Sequence, residues 1–166
     1  MTLLNYDSPI GPLLIAAEDG HIVEISFMEA DTREKYRRPA LHENNEQASN
    51  TDAAVACIAE LEAYFAGKLQ VFTVPIKPTG TDFRKRVWAA LMDIPYGKTI
   101  SYKELAVSIG QPNASRAVGG ANNNNPISII VPCHRVIGAD GSLTGYGGGL
   151  DNKTFLLELE KKSLSN

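Results

Sequence analysis

Residues 101–121 read SYKELAVSIGQPNASRAVGGA, and the reading of the fold turns on them. Ser101 followed three positions later by Glu104 is a capping box, in which each side chain satisfies a backbone N–H at a helix start. It opens a helix over 102–109 that Gly110 closes. Asn113 stands where it can cap a second helix over 114–122. Two short helices joined by Gly110-Gln111-Pro112-Asn113 match a helix-turn-helix, with a plain helical hairpin as the alternative that pattern alone favours. The second helix is nearly all small residues around Arg116, and Gly119 and Gly120 each cost roughly 1 kcal/mol against alanine. A helix built that way lets its backbone come close to something. Either a neighbouring helix packs tightly on it, or it lies in a DNA minor groove with Arg116 in place of a displaced base.

The rest of the second half is also helical. Phe83, Val87, Trp88 and Leu91 recur at helical spacing over 81–92, with Trp88 in the core. Pro95 and Gly97 end that element, and a last helix over 152–162 sets Phe155, Leu156 and Leu159 on one side. The first half differs. Short β-prone runs at 3–7, 13–17 and 21–27 are separated by Pro9-Ile10-Gly11-Pro12 and by Asp19-Gly20, a hairpin signal. Residues 29–50 are polar and aperiodic and read as mostly loop. A helix over 51–66 presents Val55, Ile58, Leu61, Tyr64 and Phe65 and stops at Gly67. Residues 71–76 read as another strand and 78–80 as a linker. The expectation is an α+β chain of two domains, 1–78 and 79–166.

Composition narrows the function. The chain has 166 residues, 43% hydrophobic and 21% charged, which excludes a disordered chain, a collagen-like repeat and a disulfide-rich miniprotein. No apolar run approaches the roughly 20 residues that span a bilayer, and the N-terminus lacks the pattern of a secretion signal. A cytosolic protein with no membrane role is expected. Cys57 and Cys133 with His21, His42 and His134 form no C-x-x-C or H-x-x-x-H pair, so no metal is expected. Net charge is −3 but uneven. Residues 1–79 carry 6 Lys and Arg against 12 Asp and Glu, and residues 80–166 carry 10 against 7, so only the second half suits phosphates.

The chemistry sits in Ile129-Ile130-Val131-Pro132-Cys133-His134-Arg135-Val136. A reactive cysteine must reach the thiolate, which needs a base or positive charge nearby, and His134 and Arg135 are adjacent. On an extended segment neighbouring side chains point to opposite faces. A turn at Pro132 or a bridging water is then needed to pass the proton. A carboxylate behind His134 would orient it, with Asp140, Asp151, Glu158 and Glu160 as candidates that the pattern does not separate. The glycines from Gly138 to Gly149 lack the lysine and spacing of a phosphate-binding loop and suit a lip over a pocket, with Tyr146 as a flat wall.

Pro132-Cys133-His134-Arg135-Val136, with Arg116-Ala117-Val118-Gly119-Gly120-Ala121, Asn125-Pro126, Gly145-Tyr146-x-Gly148-Gly149 and the 153–160 helix, resembles the O6-alkylguanine-DNA alkyltransferase family. The match is dense over 81–162. It is looser before that, with Tyr64-Phe65-Ala66-Gly67 as the best marker. The resemblance implies a small ribonuclease H-like α/β domain followed by a mainly helical domain with a helix-turn-helix. It implies single-turnover repair, without a cofactor, by a monomer acting on double-stranded DNA that carries O6-alkylguanine, with O4-alkylthymine as a second candidate. Cys133 would accept the alkyl group, His134 would be its base through a water, and Glu160 would stand behind His134. Asn125 would brace the turn, and Tyr102 would protonate the departing base. Pro132, Tyr146 and Gly147 would line the pocket, and the carbonyls of Cys133 and Val136 would accept from the guanine amino group. Arg116 would replace the flipped nucleotide, with Ser115, Ala117, Gly119, Lys103, Gln111 and Arg135 at the DNA. Gly147 stands where some members have serine. Two other readings are a lesion-binding module without catalysis and a thiol hydrolase using Cys133 and His134, for which adjacency makes direct contact awkward.

Overall fold

The computed structural model describes residues 1–29 and 45–165. They form two compact units, Met1–Pro78 and Thr79–Asn166.

In the first unit, β1 (Thr2–Ser8), β2 (Gly11–Glu18) and β3 (His21–Phe27) make an antiparallel sheet in that order. Glu18 pairs with His21, leaving Asp19 and Gly20 as a two-residue turn with φ of 50° and 71°. Positive φ at both central positions is what a type I′ hairpin requires, and Gly20 takes it without a Cβ penalty. Leu13, Ile15, Ile22 and Ile25 are buried against α1 (Asn45–Phe65).

Three expectations are corrected here. α1 begins at Asn45, so 45–50 is helix where a loop was expected; the remaining residues of that loop, 30–44, lie outside the described residues. Its buried face is Ala54, Cys57, Leu61 and Tyr64, and Val55 is 54% exposed. Small Ala54 and Cys57 let the helix approach the sheet, which turns the larger Val55 outward. Residues 71–76 do not form a strand. Ile76 makes one parallel bridge to Ile22, while Glu60 holds Thr73 and Val74 through their backbone N–H groups.

In the second unit, α2 (Asp82–Met92) is capped by Thr81 and buries Val87, Trp88 and Leu91. The Trp88 indole N–H donates to the Ala121 carbonyl at 2.9 Å, fastening α2 to α4 (Ser115–Asn123). α3 (Tyr102–Ser108) starts with the expected capping box and ends before Gly110, whose φ is 74°. α4 lacks the expected Asn113 cap: Ala114 is its N-cap, and no side chain bonds there. β4 (Ile100–Ser101) and β5 (Val136–Ile137) pair in parallel. α5 (Leu150–Leu164) completes the unit. Its buried residues are Lys153, Leu156 and Glu160 rather than the Phe155, Leu156 and Leu159 stripe, and Phe155 is exposed. The apolar pattern misled because two charged residues occupy the inward face. No described helix is long and apolar enough to cross a membrane.

Candidate active site

The segment before β5 is wound rather than extended. Ile129 takes φ 74°, and Pro132 has φ −84° and ψ 63° with the Cys133 N–H donating to the Val131 carbonyl at 2.8 Å. That is an inverse γ-turn. Cys133–Arg135 then form one 3-10 turn, closed by Arg135 N–H on the Pro132 carbonyl at 3.0 Å. At three residues per turn, successive side chains diverge by about 120°, not the 180° of a strand. Cys133 and His134 therefore do not point to opposite faces. Asn125 braces the turn from both ends: its Oδ1 accepts from Ile127 N–H at 3.0 Å and its Nδ2 donates to the Val131 carbonyl at 2.7 Å.

Glu160 is fully buried at the centre of the site. It accepts from His134 Nε2 at 2.7 Å and from Arg135 Nε at 2.6 Å. Of the four carboxylates left open by the pattern, Glu160 is thus the one behind His134. Asp140 instead accepts from Ser142, and Asp151 and Glu158 are exposed. Burial alone pushes the Glu160 carboxyl up, but His134 and Arg135 more than reverse this and hold it below its ordinary value. Burial, with the charges of Arg135 and Lys153, pushes His134 below its ordinary value despite the opposing pull of Glu160. The pair is a carboxylate and a neutral imidazole. A carboxylate only accepts, so the imidazole proton lies on Nε2 and the lone pair on Nδ1. Nδ1 is buried and makes no hydrogen bond to the described residues.

Cys133 is 5% exposed. Burial pushes its thiol up, while the Asn125 side chain and the Lys153 charge pull it down. The resting sulfur is a thiol that needs a base. Its carbonyl accepts from Val136 N–H and, at 3.4 Å, from Asn122 Nδ2.

Arg135 does not reach the surface as a DNA contact would. It is 7% exposed, bound to Glu160, with Nη1 on the Ile94 carbonyl at 2.7 Å and its guanidinium 5.6 Å from the Tyr96 ring centre. The expectation is corrected because a buried carboxylate serving a neutral histidine needs a permanent cation.

Beside this core lies an open cleft of about 400 Å³ lined by Tyr102, Ser115, Arg116, Gly119, Asn123, Thr144 and Gly145. Arg116, Ala117 and Gly120 are exposed on α4, Ser115 and Gly119 partly so, Lys103 is exposed and Gln111 half-buried. A Cβ at Gly120 would meet nothing within 4 Å, and one at Gly119 would meet only the Tyr102 ring at 3.7 Å. Packing within the unit does not demand small residues there, which removes the main reason to read α4 as a tightly packed core helix. The Tyr102 hydroxyl donates to the Thr144 carbonyl at 2.8 Å, tying α3 to the glycine-rich lip. The Tyr146 hydroxyl is buried and held protonated, by burial and by Cys133 and Glu160. Gly147 is exposed and Pro132 is buried. The carbonyl of Val136 accepts from Lys153 Nζ at 2.6 Å.

Two half-chain family descriptions match this chain. The 6-O-methylguanine DNA methyltransferase ribonuclease-like domain covers residues 4–78 and the DNA binding domain of the same name covers 82–162. The chain belongs to the 6-O-methylguanine DNA methyltransferase family. It is 51% identical over 158 residues to a methylated-DNA–protein-cysteine methyltransferase of Methanosarcina barkeri, covering 95% of this chain and 96% of that one. It is 50% identical over 157 residues to the Mycobacterium leprae protein of the same name, covering 95% and 90%. Among solved structures, Mycobacterium tuberculosis O6-methylguanine methyltransferase superposes with a TM-score of 0.82 at 47% identity, covering 98% of this chain and 93% of that one. The structure of Mycobacterium tuberculosis OGT in complex with DNA gives 0.81 at 46% identity, covering 98% and 94%. The family's small ribonuclease-like domain followed by a helical DNA-binding domain is the α+β order expected from sequence.

Lys153 and Asn122 were missed by sequence reasoning. A lysine three residues before Leu156 and seven before Glu160, on one helical face, was the available signal.

Proposed function

We propose that this chain repairs DNA by moving the alkyl group of O6-alkylguanine in a duplex onto Sγ of its own Cys133, once per molecule. The observation that carries the chemistry is the buried Glu160–His134 pair, which fixes the imidazole proton on Nε2 and leaves Nδ1 to act as a base one residue from the thiol. Through a water, Nδ1 takes the thiol proton. The thiolate attacks the alkyl carbon, the S–C bond forms as the C–O6 bond breaks, and the electron pair stays on guanine. The Tyr102 hydroxyl exchanges the Thr144 carbonyl for the base and supplies the proton that the leaving guanine needs, and solvent restores it. The thioether has no good leaving group, so the sulfur is not regenerated.

A stacked base cannot reach a sulfur that is 5% exposed, so the nucleotide must leave the helix. α3 and α4 act as a helix-turn-helix whose small exposed face enters the minor groove, with Arg116 filling the gap. Lys103 and Gln111 lie at the DNA backbone. Pro132, Tyr146 and Gly147 line the pocket, and the Cys133 and Val136 carbonyls offer their remaining acceptor capacity to the guanine amino group. The second unit is the DNA-binding and catalytic domain, and one copy suffices. A free reactive thiol fits the reducing cytoplasm.

The test is stoichiometry. Incubation with duplex carrying radiolabelled O6-methylguanine should plateau at one methyl per protein, located by mass spectrometry on the Cys133 peptide. Cys133→Ala should bind the duplex without transfer. Continued turnover overturns the once-only reading, and label elsewhere than Cys133 overturns the assignment of the acceptor.

A further inference from the structure

Residues 122–125 are four asparagines in a row, and three of their side chains are spent inside the fold. Asn122 Nδ2 donates to the Cys133 carbonyl at 3.4 Å, Asn124 Nδ2 donates to the Gly120 carbonyl at 2.7 Å, and Asn125 braces the turn before the nucleophile. The Asn123 carboxamide is exposed, makes no hydrogen bond among the described residues and lines the open cleft beside the site. It is seated rather than loose. A Cβ built on Gly145 would lie 3.0 Å from its Oδ1 and 3.3 Å from its Nδ2, so the bare glycine of the lip leaves room for the amide.

The cleft has one chemical character. None of the residues lining it is acidic, and its polar side chains are the Tyr102 and Ser115 hydroxyls, the Arg116 guanidinium and this amide. Such walls donate hydrogen bonds to an anion. Arg116, Gly119 and Asn123 stand at i, i+3 and i+7 on α4 and so share one face. Seven residues of helix span about 10 Å. The cation is therefore at one end of the cleft, and the amide is at the other, against the lip.

We infer that Asn123 is a substrate-binding residue of the transfer: its Nδ2 donates to a phosphate oxygen of the linkage beside the extruded nucleotide. The inference rests on the alkyl-transfer reading and adds to it a contact with the strand at the pocket mouth. With Arg116 in the gap left in the stack, the nucleotide passes from α4 towards the lip, and this cleft is lined by both. The base goes on to the sulfur. The sugar and its phosphates stay joined to the strand, so the cleft wall is what meets them. The other donors there are committed: Tyr102 to the Thr144 carbonyl and then to the base, Arg116 to the gap, with Ser115 beside it at the far end. A phosphodiester oxygen only accepts, which suits an amide with two N–H groups to give. A phosphate contact carries no sequence information, so Asn123 serves a lesion in any sequence.

The experiment gives the full chain two substrates: duplex carrying O6-methylguanine, and the free base O6-methylguanine, which has no sugar or phosphate. Intact-mass spectrometry follows methylation by each in wild type, Asn123→Ala and Asn123→Asp. The ratio of the duplex rate to the free-base rate, with duplex below saturation, reads contacts to the strand and cancels any change at the sulfur. Loss of a hydrogen bond to a charged group is worth about tenfold. The ratio should fall by about that factor in Asn123→Ala and further in Asn123→Asp, whose carboxylate repels the phosphate. An asparagine that only props the lip slows both substrates alike, and a ratio within about threefold of wild type in both variants overturns the inference.

A second arm names the atom. A neutral methylphosphonate replaces the linkage on the 5′ side or the 3′ side of the lesion. At one of the two, wild type should lose about tenfold and Asn123→Ala should lose nothing further, because both changes remove the same contact. Equal losses in wild type and variant at both linkages overturn the inference. If wild type moves no methyl from duplex, the alkyl-transfer reading falls and this inference with it; if wild type does and the variants match it, this inference falls alone.

Discussion

Replacing Glu160 by Gln keeps volume and removes the charge of a fully buried carboxylate. Arg135 is then a buried cation facing an amide, left with the Ile94 carbonyl and the Tyr96 ring. Removing one partner of a buried ion pair costs about 3–5 kcal/mol, a large part of the roughly 5–15 kcal/mol that a domain has in hand. The chemistry suffers separately. A glutamine can donate from its amide to His134 Nε2, which pushes the imidazole proton onto Nδ1 and takes away the acceptor. A positioned general base contributes roughly 10²–10⁴-fold, so methyl transfer should slow by about that factor in whatever fraction stays folded. Trp88 is the only tryptophan and sits in the second unit's core, so urea unfolding followed by its fluorescence reports that unit. Single-turnover transfer from O6-methylguanine duplex reports the base. A variant losing less than about 1 kcal/mol and reacting within threefold of wild type would refute the reasoning.

Acid should weaken the second unit in two stages. His134 and Glu160 both titrate lower folded than unfolded, so the unfolded chain binds more protons. Their stabilisation is complete above roughly pH 7, begins to fall as pH drops through about 6.5, and falls again below about 4.3; urea midpoints read from Trp88 across pH 4–8 check this. Gly120→Leu meets open space and gains roughly 0.5–1 kcal/mol of helix propensity. Its melting temperature should hold or rise while duplex affinity, measured by fluorescence anisotropy, falls at least tenfold. Tyr102→Phe should act in opposite directions on two reactions of the same sulfur. Freed from Thr144, the lip opens and iodoacetamide reacts faster, whereas transfer from DNA slows for want of a proton donor.

The capping box at Ser101 and Glu104, the Asp19-Gly20 hairpin and Trp88 in the core were legible because each depends on local rules: a side chain reaching its own backbone, a φ sign, an apolar period. The face of α1 was not, because Ala54 and Cys57 score as weakly apolar yet govern how near the helix comes to the sheet. Asn45 to Asn50 hid their helix for a related reason, since polar residues carry little period. In α5 the apolar stripe pointed away from the truth at Lys153 and Glu160, whose burial depends on carbonyls and cations contributed by segments distant in sequence. The Cys133–His134 adjacency was discouraging only under the assumption of a strand; the γ-turn at Pro132 that changes the angle depends on the Asn125 brace. Arg135 shows the same limit, since an arginine beside a nucleophile reads as a DNA contact until its carboxylate is found.

Ile129 has a consequence of its own. A β-branched residue at φ 74° costs the fold about 1–2 kcal/mol, four positions before the nucleophile, where glycine would sit at ease. Asn125 clamps the segment at Ile127 and Val131, so the tension cannot relax by drifting. Glycine at 129 would ease the backbone but empty the space of a buried isoleucine, a loss of about 2–5 kcal/mol that exceeds the relief: the side chain's burial is what keeps the chain bent ahead of the sulfur.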